Sequence, residues 1–138
     1  MVAWGIGPFE NDDAWELLSV LVVTTGTGIV AVALDAASAL PEGEQLEAPE
    51  AAMAVAAAEV VATALGRPGP GVPGEVRDWI AGNHRGLDTA LTVPMAREAI
   101  ARVERPGSEL RARWEHDGRD SHWLAELRDL DTRLSAGV

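Results

Sequence analysis

Pro49-Glu50-Ala51-Ala52-Met53-Ala54-Val55-Ala56-Ala57-Ala58-Glu59-Val60-Val61-Ala62-Thr63-Ala64-Leu65 is the stretch that decides the fold. Proline suits the first turn of a helix, and Glu50 favours the positive end of the helix dipole. The remainder is apolar on every face, and a helix apolar all round is buried all round. This segment is therefore expected to be a central helix, with alanines that let its neighbours approach closely. Glu59 sits in the middle of it. A buried carboxylate must find donors or be neutralised.

Outward from this helix, one helix-periodic segment follows another. Pro41 to Glu47 reads as an acidic loop. Upstream, Asp12 to Val23 places Ala14, Leu17, Leu18, Leu21 and Val22 on one helical face. Ile29 to Leu40 is Ala-rich and reads as a second helix across the Gly26 to Gly28 turn. The Val and Thr residues leave a β-hairpin, Val20–Thr24 against Ile29–Ala33, as the rival. Leu17 to Leu34 carries no charge, but its glycines, threonines and acidic flanks argue against a membrane span. Residues 66–74, rich in Gly and Pro, form a connector. A short helix with Val76, Trp79 and Ile80 on one face comes next, ending at Gly82 or Asn83. A loop then reaches Pro94, where another helix starts and runs to Arg105. Ser108 caps a helix of one or two turns, with Leu110 and Trp114 one turn apart. Asp120 or Ser121 caps the last helix, striped by Trp123, Leu124, Leu127, Leu130 and Leu134. The expected fold is all-α: one compact bundle of about five to seven helices over residues 1–138, packed around Pro49–Leu65, with an N-terminal hooked arm at 1–11.

That arm, Trp4-Gly5-Ile6-Gly7-Pro8-Phe9-Glu10-Asn11-Asp12-Asp13-Ala14, is the most particular motif in the chain. Its glycines allow unusual backbone angles and Pro8 stiffens the bend. Trp4 and Phe9 are expected to reach into the domain. Asn11 is a good N-cap, and Asp12 and Asp13 then oppose the helix dipole. Glu10, Asn11, Asp12 and Asp13 could together offer oxygens to a hard cation. The glycine of a calcium loop is missing, so capping and docking is the preferred reading and no metal site is assigned.

The arm resembles the opening signature of the bacterial family called domain of unknown function 4259: Trp-Gly-x-Gly-x-Phe, an acidic residue, then Asn-Asp-Asp-Ala. Similarity continues through Leu46–Ala51, Ala57–Ala62, Glu75–Trp79 and Ser108–Trp114, and so covers nearly the whole chain. Leu17 to Leu34 departs from it by being more apolar and richer in Val and Thr. The resemblance implies a compact bacterial domain and carries over no catalytic residues.

Composition narrows the chemistry. With no cysteine there are no disulfides, thiolate metal sites or cysteine nucleophiles. All 11 basic residues are Arg, which removes Schiff-base lysines and a phosphate-loop lysine. No basic region precedes an apolar run at the N-terminus, so a cytoplasmic location is expected. The net charge of −11 argues against nucleic acid and suits a basic protein partner. Glu42, Glu44, Glu47 and Glu50 are the clustered carboxylates for such a partner. His116, Asp117, Asp120 and His122 are the densest possible metal ligands, but His116 and His122 lack the one-face helical spacing of a zinc pair. His84 stands alone in a loop. Ser19, Ser38, Ser108 and Ser121 lack a nucleophile-elbow context. No cofactor and no catalytic residue is assigned.

The leading expectation is a non-catalytic binding module, of the inhibitor or immunity type, for a basic partner. The alternatives are a small metal-dependent hydrolase using the Glu10–Asp13 or His116–His122 cluster, and a structural homo-oligomer. Neither lysine nor a local Arg exists to pair with Glu59. Trp4, Gly5, Gly7, Phe9 and Glu59 are therefore expected to form a structural latch in which arm N–H groups donate to the Glu59 carboxylate; the alternative is a Glu59 that points into solvent at the edge of the helix.

Overall fold

In the computed structural model, which describes residues 3–25, 27–83 and 85–135, the alanine-rich segment forms the longest helix. Seven helices are present among the described residues: α1 (Asp12–Leu21), α2 (Gly28–Ser38), α3 (Ala48–Ala64), α4 (Gly74–Asn83), α5 (Thr89–Val103), α6 (Glu109–His116) and α7 (Asp120–Ser135). The chain is all-α. Two isolated bridges, Ala3 to Asn11 and Leu46 to Ser108, are its only extended pairings in that range.

The central position of α3 follows from its composition. From Ala48 to Thr63 its side chains are buried except at Pro49, Glu50 and Met53. It packs against all the other helices, most extensively α2 and α5, which also pack against each other. Short alanine side chains permit this close approach, while Val60 and Val61 supply branched bulk. Around them Leu21, Leu34, Leu127, Leu130 and Leu134 are almost fully buried. Each such side chain is worth about 1.5–3 kcal/mol relative to exposure.

Local signals set most of the ends. The Asn11 carboxamide oxygen accepts from Ala14 N at 2.8 Å, starting α1 at Asp12. At the far end of α3, Gly66 takes φ +80° and lets Arg67 N reach the Ala62 carbonyl at 2.9 Å. The cap of α3 comes from elsewhere: Ala48 N donates to the Glu109 carboxylate at 2.9 Å.

Three expectations need correction. Helix α1 stops at Leu21, so Val22 is a C-cap residue, 45% exposed, rather than a core residue. The chain turns there, with Thr24 Oγ1 donating to the Leu21 carbonyl at 2.9 Å and Trp79 Nε1 to the Thr24 carbonyl at 3.0 Å. Helix α2 likewise stops at Ser38, short of Leu40. Helix α5 begins at Thr89, not Pro94, because Asp88 caps it by accepting from Leu91 N. Pro94 is carried inside the helix at the loss of one backbone bond. The hairpin rival does not form. Val30, Ala33, Leu34 and Ala37 have the helical spacing that buries one face, and the core favours that arrangement over local β-propensity. Among the described residues no helix is long and apolar enough to cross a membrane.

Candidate functional site

The N-terminal arm closes on itself. Trp4 N and Gly5 N donate to the Glu10 carbonyl at 2.9 and 3.3 Å, and Glu10 N donates to the Gly7 carbonyl at 3.0 Å. The Glu10 side chain folds under this loop, where its Oε1 accepts from Gly7 N at 3.2 Å. A Cβ on Gly5 would stand 2.0 Å from Glu10 Oε2, and one on Gly7 2.5 Å from Oε1. The glycines therefore make room for Glu10. Phe9 is buried as expected, and Trp15 Nε1 donates to its carbonyl at 2.8 Å. Trp4 is not: it is 59% exposed and lies at the surface, lining a shallow hollow with Arg113, Trp114 and Arg119. The loop still seats on the central helix. Gly5, Ile6, Gly7 and Pro8 face Ala52 and Val55 of α3 across a small apolar gap.

Glu59 is buried as expected, at 2% exposure, but its donors differ from those expected. Its Oε1 accepts from Gly69 N at 2.8 Å and its Oε2 from Arg133 Nη1 at 2.7 Å. Arg133 also donates to the Arg67 carbonyl at 2.9 Å and, through Nε, to Asp129 Oδ2 at 2.9 Å. The latch between Glu59 and arm N–H groups is thus replaced by a knot of α3, connector and α7. The arm amides are engaged with Glu10, whereas Gly69 passes so close that a Cβ there would lie 2.3 Å from Glu59 Oε1. Gly7, Pro8, Phe9 and Glu10 only border the same small cavity. Burial pushes the Glu59 carboxyl above its ordinary range, opposed by the hydrogen bonds from Arg133 and Gly69.

Asp13 is the other buried carboxylate of note. Its Oδ2 has no hydrogen-bond partner, and burial, then the charge of Asp12, push its pKa up. Among the described residues no group of three or more His, Cys, Asp or Glu side chains is placed to hold a metal ion. His116, Asp117 and His122 lie exposed at the α6–α7 turn, and His84 lies outside the described residues. Of the serines, Ser108 caps α6 and Ser19 donates to the Glu16 carbonyl at 2.6 Å.

Glu42, Glu44, Glu47 and Glu50 are all exposed. Glu50 lies in the first turn of α3, and the loop that carries Glu42, Glu44 and Glu47 is held against the end of α5. Arg105 Nη1 meets Glu42 at 3.1 Å, Arg102 Nη2 donates to the Glu44 carbonyl at 2.5 Å, and Leu46 N donates to the Gly107 carbonyl at 3.2 Å. Beside this end of α5 a groove of about 520 Å³ opens between α5 and α7. Val93, Pro94 and Ala101 form its apolar part, Glu98 and Glu104 its rim, and Asp131 of α7, paired with Arg97 at 3.1 Å, its far wall.

Sequence reading missed Arg133, Gly69 and this groove. The two Glu59 partners are distant in the chain, and no local pattern links them. The groove residues Val93, Arg97, Ala101 and Glu104 do share one helical face. That signal is hidden when the helix is started at Pro94.

The family model for a domain of unknown function, DUF4259, matches residues 2–126. No curated protein and no solved structure matches the chain.

Proposed function

The chain belongs to the DUF4259 family, and from that premise we propose that it is a non-catalytic binding module for a basic protein, of the inhibitor or immunity type, acting in the cytoplasm with residues 1–138 as one domain. The observation that carries this reading is the run of exposed carboxylates Glu42, Glu44 and Glu47, on a loop tied to the end of α5 and the turn after it through Arg102, Arg105 and Gly107, and Glu50 in the first turn of α3. A tethered loop loses less conformational freedom on association than a mobile one. The net charge of −11 adds long-range attraction for a cationic surface and repels nucleic acid phosphates.

The test is affinity capture from the source cell with wild type and with a variant carrying Glu42→Gln, Glu44→Gln, Glu47→Gln and Glu50→Gln. The expected result is a basic protein retained by wild type, associating more slowly as salt rises, and lost from the variant. Equal retention by both proteins, or DNA or RNA binding at physiological salt, would overturn the reading.

A further inference from the structure

We propose that the buried carboxylate of Asp13, with Glu16 and Glu50 at the surface beside it, receives an arginine side chain of the basic partner. This inference rests on the basic-partner reading and adds an anchor point to it.

Asp13 is a costly place for a charge. It is 9% exposed, and its Oδ2 accepts no hydrogen bond among the described residues. A buried carboxylate oxygen without a donor carries a desolvation penalty that folded proteins avoid. Capping of α1 does not account for it, because the Asn11 side chain already takes the Ala14 N–H. At Glu59 the same chain brings Gly69 and Arg133 to the two oxygens of a buried carboxylate. At Asp13 Oδ2 it brings nothing, which leaves that oxygen for a ligand arriving with its own donors.

The surroundings select a cation. Glu16 lies three residues on in α1 and is a neighbour on the same face. Glu50 stands in the first turn of α3, which packs against α1. Both are exposed. Burial pushes the Asp13 carboxyl above its ordinary range, and Asp12 adds to the push; the amino terminus opposes it, and Glu16 and Glu50 raise it again. No arginine is among these charges. The starts of α1 and α3 each offer about half a positive charge, which offsets roughly one of the three charges of Asp13, Glu16 and Glu50. Glu47 is the N-cap of α3, so the exposed carboxylates of the 41–47 loop lead directly to Glu50 and on to Asp13.

Arginine suits this place better than a compact ion. Its guanidinium is weakly hydrated, so it enters a partly buried site at low cost. Its planar fork of donors can meet Asp13 Oδ2 with one edge while the others turn toward Glu16 and Glu50. Among the described residues no three or more such side chains are grouped tightly enough to hold a metal ion.

The experiment uses the whole protein, isotopically labelled, and two short blocked peptides that differ only in carrying one arginine or its uncharged analogue citrulline. NMR titration at physiological salt should show the arginine peptide shifting the signals of Asp13, Glu16 and Glu50 to saturation, with a Kd on the order of 1 mM. The citrulline peptide should leave them in place. Asp13→Asn should weaken the arginine peptide by about tenfold or more, the worth of a charge-assisted hydrogen bond. Glu16→Gln, at an exposed position, should weaken it by about two- to fivefold with the thermal midpoint unchanged. Saturating arginine peptide should also bring the Asp13 carboxyl, followed by its carbon signal during acid titration, back toward its ordinary 3.8. A residue with a structural role alone would not respond in this way. Equal binding of the two peptides, an Asp13→Asn variant that binds like wild type, or an Asp13 titration that ignores the peptide would each overturn the anchor. Binding lost in the loop variant Glu42→Gln/Glu44→Gln/Glu47→Gln but kept in Asp13→Asn would overturn the anchor and leave the basic-partner reading standing. Absence of peptide binding, alongside capture of a basic protein that depends on the loop, would do the same. Absence of both would overturn both.

Discussion

Glu59 and Asp13 are two buried carboxylates on adjoining helices, and the chain treats them oppositely. Glu59 lies inside α3 with Gly69 and Arg133 on its two oxygens. Asp13 lies in the first turn of α1 with one oxygen unpartnered and Asp12 beside it. Burial raises the pKa of both. The difference lies in what surrounds them. At Glu59 three separated pieces of chain depend on the charge; at Asp13 only one helix start does. A buried ion pair is costly to break even where its net contribution is small, whereas an unpartnered charge near the surface can be removed with little harm.

Of the changes at the two carboxylates, the largest effect should follow from Arg133→Met. Glu59 is left buried without its ion-pair partner and must either stay charged unpaired or take up a proton, which should destabilise the protein by about 3–5 kcal/mol in denaturant unfolding. The double variant Glu59→Leu/Arg133→Met should recover most of that loss. A single-variant loss as small as an exposed pair's, at most about 1 kcal/mol, would erase the distinction between the two sites.

Gly69→Ala comes next. Its new methyl meets Glu59 Oε1 at 2.3 Å, and that oxygen is held at the core end of an ion pair. A loss of about 1–3 kcal/mol is expected from the overpacking. Gly7→Ala makes a similar clash, but with the end of the exposed Glu10 side chain, which can swing away. It should cost clearly less, and equal costs would mean that the arm is as rigid as the knot.

Asp13→Asn should act in the opposite direction. The folded-state pKa of Asp13 lies above its ordinary 3.8, so the folded protein holds this proton more readily than the unfolded chain. Its contribution to stability therefore grows as pH falls through the raised value toward 3.8 and is constant below. At neutral pH the asparagine variant should be the more stable, by no more than about 1 kcal/mol, the scale of one charge at a helix start. The advantage should close as the solution is acidified. A variant less stable than wild type at neutral pH would show that the helix dipole outweighs burial at this site.

The smallest effect is expected at Trp4, which is largely exposed. Trp4→Ala should change stability by at most about 0.5 kcal/mol. Phe9→Ala, five residues on in the same arm, should cost about 3–5 kcal/mol. Thermal unfolding of the two variants tests whether the arm is held by one ring or by both.

What was legible in the sequence was whatever depends on neighbours in the chain. The alanine run from Pro49 announces a buried helix because no face of it is polar, and Asn11 and Ser108 mark helix starts because a cap acts within three residues. The Trp123–Leu134 stripe points to one buried face for the same local reason. The alanine run also leads to the expectation that Glu59, in the middle of it, is buried and needs donors, with a solvent-facing Glu59 at the helix edge as the alternative. Which donors it found was decided only in the tertiary structure. Arg133 lies 74 residues away, and a hydrogen bond of that span has no period or spacing to betray it. The arm shows the same division. Its two glycines signalled a close approach, and the packed chain alone determined that the approaching group is Glu10 from the same loop, because an intraloop carboxylate reaches those amides before any distant side chain can.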